Sequence, residues 1–458
     1  MAALDAYELE HMERLLRVGT CLAMCGYGAQ VGALAATARA FRTDAQLWAA
    51  HVRHRGPRGR TALMEAASAN NVPRIYFLLE RGADVEAVDT VFEETALMRA
   101  CSEGHCEAAR LLVERGGANV NAAMPPNDMT ALMWACDRGS LEIVRFLVER
   151  GGANANAAQT DDGFTALMWA CQKGHLEIAR CLVERGGANV NAARTTDGFT
   201  ALMAASENGH LETVCFLVEH GGANVNAAMT SDGHTALMSA SMHGHVEMVR
   251  FLVERGGANV NAAQTEDGFT ALMWACQKGH LEIVRFLVER GGANANAARN
   301  ADGQTAIFYA SQGGHLEIAR CLVERGGANV NAATTTDGTT ALLLASQKGN
   351  LELVRFLVEH RGAFVNLPTN TTGMTPLMWA SQQGHLEIAR LLIQRGAHVN
   401  AVRVRCGKTP LMLAAWKGHA ATVRLLLERG ALKHLTAHSG RTARDLAASH
   451  PLVLAELV

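Results

Sequence analysis

Eight histidines recur at one fixed place in this sequence: His105, His175, His210, His245, His280, His315, His385 and His419. Imidazole suits acid–base work near neutral pH and is a common zinc ligand. Cys101, Cys136, Cys171 and Cys276 recur at a second fixed place, and thiolates also bind zinc. Such residues do chemistry only if several converge, because zinc ligands lie within about 2 Å of one ion. Equivalent positions in neighbouring copies of a repeat are instead held roughly 10 Å apart. That separation argues against a metal centre and is too wide for a disulfide between equivalent cysteines. The histidines read as turn residues and the cysteines as small buried hydrophobes. Cys21 and Cys25 form a pair of possible ligands with no second pair at suitable spacing. There is no phosphate-binding glycine loop, no H-E-x-x-H and no nucleophile elbow. No catalytic residue, cofactor or metal is expected, and the chain reads as non-enzymatic.

These spacings belong to a larger pattern. A threonine recurs at Thr61, Thr95, Thr130, Thr165, Thr200, Thr235, Thr270, Thr305, Thr340, Thr375, Thr409 and Thr442, in steps of 34, then 35 eight times, then 34 and 33. A period in this range marks stacked supersecondary units. The stretch TALMWACQKGHLEIARCLVERGGANVNAA, from Thr165, returns at Thr270 with three differences: Ala179/Val284, Cys181/Phe286 and Val190/Ala295.

One unit reads as follows. Thr165 is a good N-cap and Ala166 opens a helix. Leu167, Ala170, Cys171 and Gly174 share a face, and Gly174 is suited to a left-handed C-cap. A second helix starts near His175. Its expected apolar face is Leu176, Ala179, Leu182 and Val183, with Glu177, Arg180 and Glu184 bracing the wet face. Gly186 is expected to end it. ANVNAARTTDG then leads, as an extended arm with a turn, to the next threonine. Neither helix pair can bury its apolar faces alone, so each copy supplies its neighbour's core.

Composition sets the remaining bounds. With 42 Lys+Arg against 44 Asp+Glu there is no electrostatic case for nucleic acid or a membrane surface. No apolar run reaches the length of a membrane span, and the N-terminus does not read as a signal peptide. Cysteines placed for burial rather than cross-linking point to the cytosol or nucleus.

The stretch GMTPLMWASQQGHLEIARLLIQRGAHVNA, Gly373 to Ala401, resembles the ankyrin repeat, and the resemblance recurs eleven times. It implies an all-α solenoid of stacked helix-turn-helix units with protruding hairpin arms. It also implies a protein partner bound through the arms and inner helices. We expect a helical segment at residues 1–58, eleven repeats at 59–433 and a C-terminal capping repeat at 434–458. The chain is expected to act as a monomer. Two features depart from the family pattern. Methionine stands where the family has a histidine bonded to the threonine, as in Met64 and Met168, and that bond should be lost. An extra glycine also lengthens most arms. The asparagines Asn121, Asn156, Asn191, Asn226, Asn261, Asn296, Asn331, Asn366 and Asn400 match a position that is hydroxylated in some family members. The simpler reading is a hydrogen bond across the arm.

Residues Leu34, Ala38, Arg39, Phe41 and Trp48 resemble part of an F-box, although the expected Leu-Pro entry is absent. That resemblance implies an alternative function, a substrate-recognition subunit of a cullin-type ubiquitin ligase docked on an adaptor subunit. The plainer reading is an N-terminal helical cap.

Positions that vary between units are where a partner would be read. Counting from the threonine, position +4 holds Trp134, Trp169, Trp274, Trp379 and Tyr309, and position +8 holds Lys173 and Lys278. Position −1, at the end of the arm, holds Phe164, Phe199 and Phe269. Together they would line an inner surface with aromatics beside cations, a typical hot-spot composition. The competing reading packs the aromatics on the neighbouring repeat. The exposed reading expects loss of Trp169 and Trp274 to spare the melting temperature.

Overall fold

The threonine anchors fold as N-caps. In the computed structural model, which describes residues 57–458, the Thr165 hydroxyl accepts the Met168 N–H at 3.3 Å. The same cap opens the first helix at every anchor except Thr305, whose side chain makes no capping bond. Where a glycine follows the first helix, as at Gly174 (φ 73°), it closes the helix in the left-handed region. A turn leads to a second helix, Leu176–Glu184 in the repeat opened by Thr165. Eleven such helix pairs run from Ala62 to Glu428, followed by a shorter pair, Ala443–Leu446 and Pro451–Glu456.

The chain divides into two units, residues 1–119 and 120–458. In the first, the described residues form two helix pairs, with first helix on first helix and second on second. In the second, nine full pairs and the short terminal pair stack in the same way. The arms are extended and close on the next threonine through antiparallel bridges such as Ala193–Thr200. In one arm this becomes a two-stranded ribbon, Ala123–Met124 with Met129–Thr130. Among the described residues no helix is long and apolar enough to cross a membrane.

Packing amends the expected faces. On the second helix of the Thr165 repeat the buried residues are Ile178, Ala179, Cys181 and Leu182, while Leu176 and Val183 are only half-buried. This helix packs on its own first helix and on the second helices to either side, and the buried stripe is rotated from the one read by spacing. The methionines three residues after nine of the twelve threonines are core residues, with Met64, Met133, Met168 and Met273 fully buried. In one repeat the expected loss of a bond does not hold: the Thr61 N–H donates to Met64 Sδ at 3.4 Å.

The double glycine has two separate reasons. Gly187 takes the left-handed φ of 61° after the second helix, in open space. Gly186, expected to end that helix, has an ordinary φ but no room: a Cβ there would lie 2.7 Å from the Leu182 carbonyl oxygen.

Two polar ladders join successive repeats. Asn191 donates through Nδ2 to the Gly222 carbonyl at 3.1 Å, and its Oδ1 accepts the Asn224 N–H at 2.7 Å. Asn156, Asn226, Asn261 and Asn296 repeat both bonds. These asparagines therefore bridge to the next repeat rather than across their own arm. The histidines form the second ladder, with His210 Nε2 3.1 Å from the Gln172 carbonyl of the preceding repeat. His280 and His385 do the same to Met242 and Gln347. The rings lie against the preceding C-cap glycine, where a Cβ at Gly244 would meet His280 Cε1 at 2.7 Å.

Replacing Asn226 by alanine removes two inter-repeat bonds although the residue is exposed. The expected cost is about 1–2 kcal/mol, read by chemical denaturation. Amide exchange at Asn259 should accelerate. An unchanged exchange rate there would refute the bridging role.

Candidate functional site

The Thr cap fixes where the variable side chains meet. An aspartate in the arm turn, three residues before the threonine, accepts the N–H of the last arm residue, as Asp162 Oδ1 does from Phe164 at 2.9 Å. That bond sets the arm residue over the first turn of the helix, beside position +4. Phe164 and Trp169 meet edge-on with ring centres 4.9 Å apart. Phe269 and Trp274 are 4.4 Å apart. Contact also crosses between repeats: Phe269 lies 4.9 Å from Tyr309 of the next unit, and His234 lies 6.3 Å from Trp274.

The expected lining residues do not all reach the surface. Phe164, Phe269 and Tyr309 are buried, at 6%, 5% and 3% exposure, so their expected place on an open lining is corrected. Trp169 packs on Phe164, Trp274 and Tyr309 pack on Phe269, and Phe308 and Arg299 lie against Tyr309. Trp134, Trp169, Trp274, Trp379 and Phe199 are half-buried, and Lys173 and Lys278 are exposed. Lys173 pairs with Asp137, 3.3 Å away. Phe199 has Ala204 at position +4 and takes Arg194 over its ring at 5.1 Å instead. The ring contacts of the expected lining residues include two groups, Phe164 with Trp169, and Phe269 with Trp274 and Tyr309, the second extended by His234 and Phe308. Trp379 packs beside the buried cluster of Met374, Met378 and Leu413.

The indoles share an unusual orientation. Nε1 of Trp134, Trp169 and Trp274 is buried and has no hydrogen-bond partner among the described residues. The part of each half-exposed ring that meets solvent is therefore hydrocarbon.

Sequence reading missed the charged frame of the arms. Arg194 binds Asp197 through two hydrogen bonds and lies 3.9 Å from Asp162. Arg299 reaches Asp267 at 3.0 Å, Asp302 at 3.6 Å and the Tyr309 hydroxyl at 3.3 Å. The Arg194 hydrogen bond holds the Asp197 carboxyl below the usual carboxylate range, and burial pushes the Tyr309 phenol up. The aspartate that precedes the arm glycine in six successive repeats, Asp162 to Asp337, was the available signal. Trp416, also unforeseen, is exposed between Lys408 and Lys417, whose Nζ atoms lie 4.3 and 4.4 Å from its ring centre.

Little here could do covalent chemistry. Burial pushes the Cys171 and Cys276 thiols well above their ordinary range, which disfavours the nucleophilic thiolate. Among the described residues no group of three His, Cys, Asp or Glu is placed to hold a metal ion. The arrangement offers non-covalent contact.

The ring packing implies that Trp169→Ala destabilises the chain by about 1–3 kcal/mol, contrary to the expectation from an exposed indole. Lys173→Ala should stay within about 0.5 kcal/mol of the wild type. Thermal and chemical denaturation of the two variants, side by side, check both values.

Comparison with known proteins agrees with the geometry. The family described as "Ankyrin repeats (3 copies)" matches in ten overlapping windows from residue 35 to residue 437. The first window, 35–124, begins inside the segment expected to lie outside the repeats. The Ankyrin repeat and KH domain-containing protein mask-1 of Caenorhabditis elegans is 42% identical over 57 residues, 12% of this chain and 2% of that protein. The F-box-like residues lie outside the described residues, and no observation favours a ligase adaptor. Arrays of this kind imply a protein–protein interaction scaffold and are typically non-enzymatic. With the match spanning most of its length, the chain belongs to the ankyrin-repeat family.

Proposed function

We propose that this scaffold holds a protein partner along its arms and first helices. The contact residues are the half-buried indoles of Trp134, Trp169, Trp274 and Trp379, the ring of Phe199, and the exposed ammonium groups of Lys173 and Lys278. Phe164, Phe269 and Tyr309 act from beneath, fixing the indoles in place.

The orientation of the indoles carries this reading. Three of them hide the ring N–H and offer a hydrocarbon edge. A partner covering such an edge gains apolar burial without having to satisfy a polar donor. The lysines one turn further along the helix add electrostatic complementarity, which sets specificity and association rate more than affinity.

In this reading the repeats occupy residues 59–433 and residues 434–458 cover the last apolar face. The chain acts as a monomer, with no cofactor, in a reducing compartment. The free buried thiols of Cys101, Cys171 and Cys276 support the compartment.

The test uses the exposed residues, because the indoles also stabilise the fold. Partners captured from cell extract on the immobilised chain are quantified against a Lys173→Glu, Lys278→Glu double variant. We expect a specific subset to fall by about tenfold or more, with the melting curve shifted only by the loss of the Lys173–Asp137 pair. Equal capture by both proteins would overturn the placement of the site.

A further inference from the structure

The arm aspartates are not equivalent. Arg194 serves Asp162 and Asp197, and Arg299 serves Asp267 and Asp302. Asp232 takes the Gln264 side-chain amide at 2.7 Å. Asp337 has neither kind of partner, because the corresponding arm positions beside it are Thr334 and Thr369. Its Oδ1 accepts the Thr334 hydroxyl at 2.5 Å and the Thr339 N–H at 3.0 Å. Among the described residues no cation lies within ion-pair range of it.

The same repeats interrupt the aromatic strip. Gln304 and Thr339 stand where Phe164, Phe199 and Phe269 stand elsewhere. The space left open is a cavity of about 280 Å³. Phe308, Leu343, Leu344 and Trp379 supply its hydrocarbon, and five threonines, two glutamines and Asp337 form the polar remainder of its wall.

We propose that this cavity is a docking point for a cationic side chain, lysine or arginine, carried on an extended segment of a protein partner. An apolar part with two aromatic rings, and a polar part that holds one carboxylate without a cation, match the two halves of such a side chain. Its methylene stem lies against Leu343 and Leu344. Its charge meets Asp337 and the rings of Phe308 and Trp379. An aliphatic guest would cover the lining but leave the carboxylate unmatched, and an acidic guest would be repelled. The inference rests on the scaffold reading and adds a partner chemistry and a place.

The test is fluorescence anisotropy on the full chain with labelled nonapeptides that differ only at the central residue: lysine, arginine, norleucine or glutamate. The two basic peptides should bind about tenfold tighter than the norleucine peptide, and the glutamate peptide weaker still. Asp337→Asn, which keeps the acceptor for the Thr339 N–H, should bring lysine and norleucine within about twofold. Asp232→Asn, the equivalent change three repeats earlier, should leave the preference intact. Equal binding of lysine and norleucine peptides by the wild type would overturn the inference. So would a preference that survives Asp337→Asn, or no binding of any peptide. Partner capture through Lys173 and Lys278 is measured separately, so failure of the cavity inference is distinguishable from failure of that contact surface.

Discussion

Every helix pair in this chain has more apolar surface than it can cover by itself. Within each unit, the remaining surface is buried only by the next pair. This constraint explains the sequence economy. A stretch that packs well on a copy of itself can be written again and again, and the methionine, alanine and small cysteine or serine positions of the first helix are buried in one repeat after another. It also explains why so much of the polar chemistry is structural. The histidine and asparagine ladders satisfy carbonyl and N–H groups that would otherwise be stranded at the ends of short helices.

Regularity in the core leaves individuality to the arms. The end of an arm and the first turn of the helix after it form a strip in which the residue type changes from unit to unit. Where two aromatics coincide, they pack on each other and one of them is buried. Where the aromatic is lost, as at Gln304 and Thr339, a cavity opens. The charged frame follows the same logic. An arginine shared between two aspartates closes one part of the strip, and a threonine in its place leaves a carboxylate available. A scaffold of nearly identical parts thereby acquires distinct local chemistry.

The fold was legible because its signals are local and repeated. A threonine cap, a left-handed glycine and a helical period each act within a few residues, and a dozen anchors average out the ambiguity of any one. The eleven helix pairs lie where the threonine spacing puts them. The rotated stripe on the second helix was less legible, since spacing identifies an apolar side but not which flank the neighbour covers. Gly186 and Gly187 show the same limit, because only the position of the Leu182 carbonyl separates their roles.

The candidate site was legible in membership and not in exposure. The sequence alone determined which positions vary, and that aromatics and lysines gather there. Tertiary structure decided that Phe164, Phe269 and Tyr309 lie beneath the surface, that the indoles turn their N–H groups inward, and that Asp337 borders a cavity. The reason is physical. Caps and helix periods depend on the chain's own neighbours, whereas the exposure of a side chain depends on what a residue some thirty or more positions away places against it.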